Sequence, residues 1–181
     1  CKVNQYETEV IEGLFVKNGY EIVPFDQASD IYIINTCSVT NIADRKSRQM
    51  LHKAKKMNPE AIVVAAGCYV NSDSDTVNKD DAVDIVLGNN CKIGIVEILN
   101  EYYQNHASKE YIVDLSQKQQ YEELEIEKVN EHTRAYIKIQ DGCNQFCSYC
   151  IIPYTRGRIR SRNMEDIVSE VKRLVKSGYK E

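Results

Sequence analysis

Apolar residues recur at helical spacing in several separate stretches of the chain. In the first stretch they repeat every three or four positions until Gly19, which ends the pattern. In the last stretch Asn163 can cap the first turn, and Gly178 closes the apolar face. The pattern predicts helices over four segments: residues 4–19, 41–57, 91–103 and 164–176.

Short β-rich apolar runs alternate with these helices at residues 31–34, 61–66 and 84–87. This alternation predicts an α/β fold built on a doubly wound parallel sheet. The polar and acidic stretch 116–133 interrupts the rhythm and predicts a linker, which leaves an α/β domain over 1–115. Beyond the linker, 135–139 alternates as a strand and leads through a cysteine loop into the last helix. Residues 134–181 are therefore expected to begin a second β/α domain.

Charge is unevenly divided between the two predicted domains. The net charge is −4, yet residues 134–181 hold ten Lys and Arg against five Asp and Glu. Arg156, Arg158, Arg160 and Arg162 could contact phosphates, or could form a solvated basic loop. No apolar run reaches the length of a membrane span and no leader opens the chain, so a soluble, cytoplasmic protein is expected.

Both ends of the chain look interrupted. It begins with Cys1 instead of methionine, and it stops just after the last predicted helix. We expect a fragment of a longer protein, consisting of the α/β domain and a truncated start of the second domain. The fragment alone is expected to be inactive.

Three of the seven cysteines form a CxxxCxxC motif. Cys143, Cys147 and Cys150 can ligate three irons of a [4Fe–4S] cluster, leaving the fourth iron open to a cofactor or substrate. A structural zinc site would normally have four ligands, often in CxxC pairs. The motif also follows a predicted strand, where β/α domains place their chemistry. This arrangement resembles the radical S-adenosylmethionine superfamily, in which Tyr149 would match the aromatic position that packs on the adenine.

Three further cysteines are scattered along the predicted α/β domain. Cys37 and Cys68 follow predicted strands, and Cys1 stands directly before a helix. In a parallel sheet all three would lie at the carboxyl edge, beside helix N-termini that favour thiolates. They could ligate a second cluster, or they could be small buried hydrophobic residues. The residues alone leave both alternatives open.

Short motifs around all six cysteines resemble the methylthiotransferase family. The similar stretches are Cys1–Glu7, Asn35–Thr40, Ala66–Tyr69, Ile139–Tyr154 and Arg156–Arg162. The resemblance implies an auxiliary [4Fe–4S] cluster on Cys1, Cys37 and Cys68, ahead of a radical S-adenosylmethionine domain that is a partial barrel.

The same resemblance implies a reaction. It is closest to the branch that converts N6-threonylcarbamoyladenosine beside the tRNA anticodon to its 2-methylthio derivative, with tRNA as substrate and flavodoxin or ferredoxin as reductant. The alternatives are a branch acting on isopentenyladenosine in tRNA or on a ribosomal-protein aspartate, and a non-catalytic metal-binding module. Cys91 matches no motif, and His52, His106 and His132 have no metal-ligand spacing, so we expect no cofactor role for them.

Overall fold

Helices occupy the segments in which apolar residues repeat at helical spacing. The computed structural model describes residues 2–106, 109–115, 117, 119–122 and 134–181. Its helices are α1 (Lys2–Lys17), α2 (Asn41–Met57), α3 (Cys68–Ser72), α4 (Ser74–Asn78), α5 (Ile95–Asn105), α6 (Ile152–Thr155) and α7 (Met164–Lys176). The bounds of α2 and α7 match the prediction, and their N-caps, Thr40 and Asn163, each accept a backbone N–H of the first turn. Among the described residues, no helix is both long and apolar enough to cross a bilayer.

A four-stranded parallel sheet forms the centre of the first part of the chain. Its strands are β1 (Ile31–Thr36), β2 (Ile62–Gly67), β3 (Ile85–Leu87) and β4 (Lys109–Tyr111), and they are ordered as in the chain. In the pairing of β1 with β2, Ile31 lies opposite Ile62 and Thr36 lies opposite Gly67. The carboxyl ends of these two strands are therefore level with each other.

Helices cover both faces of this sheet, which confirms the predicted fold class. Alternate β2 residues point to opposite faces, as the pleat requires. Val64 belongs to a core shared with α1 and α5, whereas Val63 and Ala65 belong to a core shared with α2, α3 and α4. Because β2 is buried on both faces, its sequence is continuously apolar instead of alternating.

The second part of the chain has less regular strand structure than the sequence predicts. Residues 135–139 form no strand ladder, and pairing begins only where β5 (Gln140–Asp141) runs antiparallel to β6 (Arg160–Ser161). These residues make other contacts instead. Tyr136 packs against buried residues of α1, and the Ala135 amide donates to the Glu181 carbonyl at 2.7 Å. The predicted linker 116–133 lies mostly outside the described residues.

Candidate cluster site

Two of the scattered cysteines lie at the same edge of the sheet, as predicted. Cys37 directly follows β1, and Cys68 directly follows β2. Because Thr36 and Gly67 are paired in register, the two cysteines leave neighbouring strands at the same level. Cys68 is buried and Cys37 is partly exposed. The prediction for Cys1 lies outside the described residues.

Gly67 creates the sharp turn that delivers Cys68 to the start of α3. Its φ of +95° lies in the left-handed region, and an added Cβ would stand 2.7 Å from both Asn35 Oδ1 and the Thr36 carbonyl oxygen. The Thr36 hydroxyl reinforces the turn by accepting the Tyr69 amide at 3.1 Å. The backbone on both sides of Cys68 is therefore held by specific contacts.

The loop after Cys37 is anchored by hydroxyl groups. Ser38 Oγ donates to Asp44 Oδ1 at 2.5 Å and lies 2.9 Å from Ser72 Oγ. On the α1 side, Asn4 Nδ2 donates to the Thr36 carbonyl at 2.7 Å. These contacts tie the Cys37 segment to three helices.

The CxxxCxxC loop follows β5, at the carboxyl end of a strand as expected. Gly142 enters the loop with a φ of +74°, and an added Cβ would meet the Arg158 carbonyl oxygen at 2.1 Å. The Cys143 amide donates to the Gly157 carbonyl at 3.0 Å, and the Cys150 amide donates to Cys147 at 2.9 Å. The loop is thus closed against the segment that follows it.

The side chains of this loop are largely accessible. Cys147 is exposed, whereas Cys143 and Cys150 are partly exposed. Tyr149 is 91% exposed and therefore available to a ligand. The Phe146 ring lies 5.6 Å from the Tyr154 ring, and the Arg158 guanidinium lies 4.3 Å from the Phe146 ring centroid. Phe146, which precedes Cys147 in the chain, thus forms an exposed aromatic and cationic patch with Tyr154 and Arg158.

A helix contact links Cys68 to the segment that follows the CxxxCxxC loop. α3, which begins at Cys68, packs against α6, which follows Cys150 by one residue. The buried Asn89 bridges the contact: its Nδ2 donates to the Thr155 carbonyl at 2.8 Å and lies 3.5 Å from Cys68 Sγ. The sheet edge and the CxxxCxxC loop, here called the radical-type motif, are consequently neighbours in space.

A buried ionic network lies beside the contact between α3 and α6, which is called the junction below. Glu7 of α1 accepts from Lys138 and Arg156, each at 2.8 Å, and also from Lys92. Asp141 accepts from Lys138 at 2.7 Å and from Arg156 at 3.1 Å. All five side chains are at most 8% exposed. The network joins α1 and the turn before α5 to both flanks of the cysteine loop.

The charges of this network determine its protonation. Burial alone would raise the pKa of Glu7, but Lys92, Arg156 and Lys138 hold that pKa well below its usual range. Burial alone would lower the pKa of Arg156, yet Glu7, Asp141 and Cys68 keep it above its ordinary value. The carboxylates are therefore ionised, and Cys68 lies within electrostatic range of a buried cation.

The arginines of the basic segment do not form a solvated row. Arg156, Arg160 and Arg162 are each at most 6% exposed, and Arg162 pairs with the buried Glu170. Only Arg158 of the four is exposed. The expectation of a phosphate-contacting or solvated loop is therefore wrong for the other three, because each guanidinium lies near a buried carboxylate.

Sequence reasoning missed the residues that connect the two motifs. Glu7 lies four residues after Val3 and three before Val10, so a carboxylate occupies the apolar face of the predicted first helix. That position was a detectable sign of a buried ion pair. Asn89 and Lys92 carry no comparable pattern, because their partners are distant in sequence.

The donor set suits iron–sulfur clusters by its chemistry. In the part of the chain that the structure describes, no three His, Cys, Asp or Glu side chains converge closely enough to hold a single metal ion. The loop nevertheless supplies three thiols within eight residues, the arrangement that cubane clusters use. The buried guanidinium of Arg160 in β6 already has an anionic partner, because its Nη2 lies 3.5 Å from Asp141 Oδ2.

Comparison with known families divides the chain in the same way as the cysteine motifs. Residues 1–88 match the Uncharacterized protein family UPF0004, and residues 137–181 match the Radical SAM superfamily.

Curated relatives match over the whole chain. It is 40% identical over 181 residues to the threonylcarbamoyladenosine tRNA methylthiotransferases of Aquifex aeolicus and Bacillus subtilis, covering 44% and 40% of their lengths. It is 36% identical over 188 residues to the tRNA-2-methylthio-N(6)-dimethylallyladenosine synthase of Bacillus subtilis, covering 36% of that protein. The chain therefore spans less than half the length of these relatives.

Proposed function

Since the chain belongs to the radical S-adenosylmethionine methylthiotransferase family, we propose that it is part of an enzyme that converts N6-threonylcarbamoyladenosine in tRNA to its 2-methylthio derivative. The single observation that supports this most is the bridge formed by Asn89 between Cys68 and Thr155. It links Cys68 to the helix α6 that follows the CxxxCxxC motif, which supports a reaction that uses two neighbouring clusters. The activity is proposed for the full-length protein.

Cys143, Cys147 and Cys150 would hold the first [4Fe–4S] cluster. Three protein ligands would leave one iron free to bind S-adenosylmethionine, and the bound pair would supply the radical chemistry that an unactivated C–H bond requires. Gly142 and the Cys143 amide fix the entry of this loop against residues 157 and 158. Tyr149 is 91% exposed and would pack on the adenine of the cofactor.

Cys37 and Cys68, together with Cys1, would hold the auxiliary [4Fe–4S] cluster. This second centre serves as the sulfur carrier for the methylthio group. The turn at Gly67 and the hydroxyl contacts of Ser38 fix the two described ligands on adjacent strands.

The ionic network centred on Glu7 holds the two halves of the site in a fixed relation. Arg156 contacts Glu7 of α1 and Asp141 of β5 together, so α1 and the cysteine loop cannot shift without separating buried charges. The chemistry needs such rigidity, because misplacing reacting groups by about 1 Å can cost a hundredfold in rate.

The relatives' names indicate tRNA as the substrate. We further propose a cytoplasmic protein with flavodoxin or ferredoxin as the electron donor. The exposed Arg158 and the neighbouring aromatic rings Phe146 and Tyr154 form a surface that can contact RNA through charge and stacking.

Nucleoside analysis of tRNA tests the proposal. Cells lacking the full-length gene should lose 2-methylthio-N6-threonylcarbamoyladenosine and accumulate its unmodified precursor. A plasmid copy should restore the product, and a copy carrying Cys143→Ala should not. An unchanged nucleoside profile would reject the tRNA assignment, and loss of the dimethylallyladenosine derivative instead would assign the protein to that branch.

Cluster counting separates an enzyme from a metal-binding module. After anaerobic reconstitution, the full-length protein should bind iron and sulfide for two clusters, and replacing either cysteine triad with alanine should remove one. Zinc in place of iron, or a single cluster that survives replacement of Cys37 and Cys68, contradicts the two-cluster reaction.

A further inference from the structure

Asn89 is a buried amide with a defined partner for each of its polar atoms. It is 1% exposed and lies two residues beyond β3. Its Oδ1 accepts from Lys92 Nζ at 2.9 Å, and its Nδ2 contacts both the Thr155 carbonyl at 2.8 Å and Cys68 Sγ at 3.5 Å. Its backbone amide is held separately, by Asn71 Oδ1 at 2.6 Å.

These partners fix which end of the amide faces the sulfur. An ammonium group can only donate, so Lys92 must meet the oxygen of Asn89. A carbonyl can only accept, so Thr155 must meet the nitrogen. Rotating the amide by half a turn would oppose two donors at one end and two acceptors at the other. The second N–H of Asn89 is therefore directed to Cys68 by its surroundings.

We propose that Asn89 is a positioning residue that donates an N–H···S hydrogen bond to Cys68 and thereby raises the reduction potential of the auxiliary cluster. The inference rests on the proposed function, since it requires Cys68 to be a cluster ligand. Reduction increases the negative charge carried by the sulfur ligands, so a hydrogen bond to sulfur stabilises the reduced cluster more than the oxidised one. Asn89 also donates a hydrogen bond to the Thr155 carbonyl, so the position of its amide depends on the segment that follows the radical-type motif.

The test uses the full-length protein with Cys143, Cys147 and Cys150 replaced by alanine, so that only the auxiliary cluster remains. Its midpoint potential is measured by redox titration monitored by electron paramagnetic resonance. Asn89→Leu keeps the branched shape but removes the donor, and Asn89→Asp keeps the oxygen facing Lys92 but turns a carboxylate oxygen toward the sulfur. Both variants should lower the potential, by about tenfold in the reduction equilibrium, or about 59 mV for a one-electron couple.

Asn71→Leu is the matched control. It removes the acceptor of the Asn89 backbone amide and loosens the same loop, but leaves the donor to Cys68 in place. Its potential should equal that of the parent. An equal decrease in this control, or unchanged potentials in both Asn89 variants, overturns the inference. If Asn89→Leu fails to assemble the cluster, the potential of Asn89→Asp decides.

The parent, in which Cys143, Cys147 and Cys150 are alanine, separates failure of the proposed function from failure of the role proposed for Asn89. If it binds no iron–sulfur cluster, the proposed function itself fails. If it binds one and the Asn89 variants match its potential, only the role of Asn89 is rejected.

Discussion

The Glu7 carboxylate on α1 accepts a hydrogen bond at 2.8 Å from the Arg156 guanidinium, which lies 149 residues further along the chain. Arg156 also donates to Asn4 Oδ1 at 3.0 Å and to Asp141 at 3.1 Å. One side chain behind the radical-type motif therefore contacts the first helix and the strand that enters the cysteine loop. This relationship makes the stability of the junction depend on a few buried charges.

Replacing Glu7 with glutamine should strongly destabilise the chain. The substitution leaves Lys92, Lys138 and Arg156 buried around a neutral amide, and breaking buried ion pairs from one side costs about 3–5 kcal/mol. Urea denaturation followed by circular dichroism measures the change. Glu97→Gln, on the exposed side of α5, is the control and should stay within about 0.5 kcal/mol of the parent. Equal midpoints for the two variants would contradict a stabilising role for the network.

Acid should weaken the junction in a predictable pH window. The surrounding cations hold the pKa values of Glu7 and Asp141 below their ordinary values, despite burial that would raise both. A carboxyl whose folded pKa is lowered contributes stability above its unfolded pKa, roughly pH 4, and loses it as the pH falls through the folded value. The urea concentration at the unfolding midpoint should therefore decrease when the pH is lowered below about 4. The difference in unfolding free energy between the parent and Glu7→Gln should shrink over the same pH range. A difference that stays constant would show that Glu7 is not the group responsible for the acid effect.

Alanine at Gly142 should disrupt the radical-type loop specifically. The new Cβ would lie 2.1 Å from the Arg158 carbonyl oxygen, and the φ of +74° is unfavourable for any L side chain. In the full-length protein we expect loss of the iron bound by Cys143, Cys147 and Cys150, while the auxiliary cluster remains. Gly94→Ala, where nothing lies within 4 Å of the added atom, should leave both clusters intact. Full iron content in Gly142→Ala would show that the turn is dispensable.

Alanine at Gly67 should have the complementary effect. Its Cβ would meet Asn35 Oδ1 and the Thr36 carbonyl oxygen at 2.7 Å, which displaces the turn into Cys68. We expect the full-length variant to keep forming 5′-deoxyadenosine but to lose the methylthiolated product. Gly13→Ala, in the open interior of α1, should instead stabilise the protein by about 0.5–1 kcal/mol. A methylthiolating Gly67→Ala variant would contradict the role assigned to the sheet edge.

Local patterns in the sequence determined most of the elements and both cysteine groups. Helix caps at Thr40 and Asn163 and the continuous apolar run of β2 act over a few residues, so they can be recognised without a fold. The position of Cys37 and Cys68 at one edge followed from the parallel sheet. The CxxxCxxC spacing likewise belongs to the sequence alone, and its assignment to a cluster rests on chemistry and family resemblance.

The tertiary structure decided what surrounds those cysteines. Residues 135–139 alternate like a strand, yet tertiary contacts with α1 take precedence over a ladder there. Arg156, Arg160 and Arg162 resemble a surface row, yet they are buried because carboxylates from other elements of the fold reach them. Electrostatic and hydrogen-bond partners depend on distance in space, which the order of residues does not encode locally. The sequence thus predicted which residues would hold the clusters, and the fold decided that Glu7, Asn89 and Arg156 connect the segments that carry Cys68 and the CxxxCxxC motif.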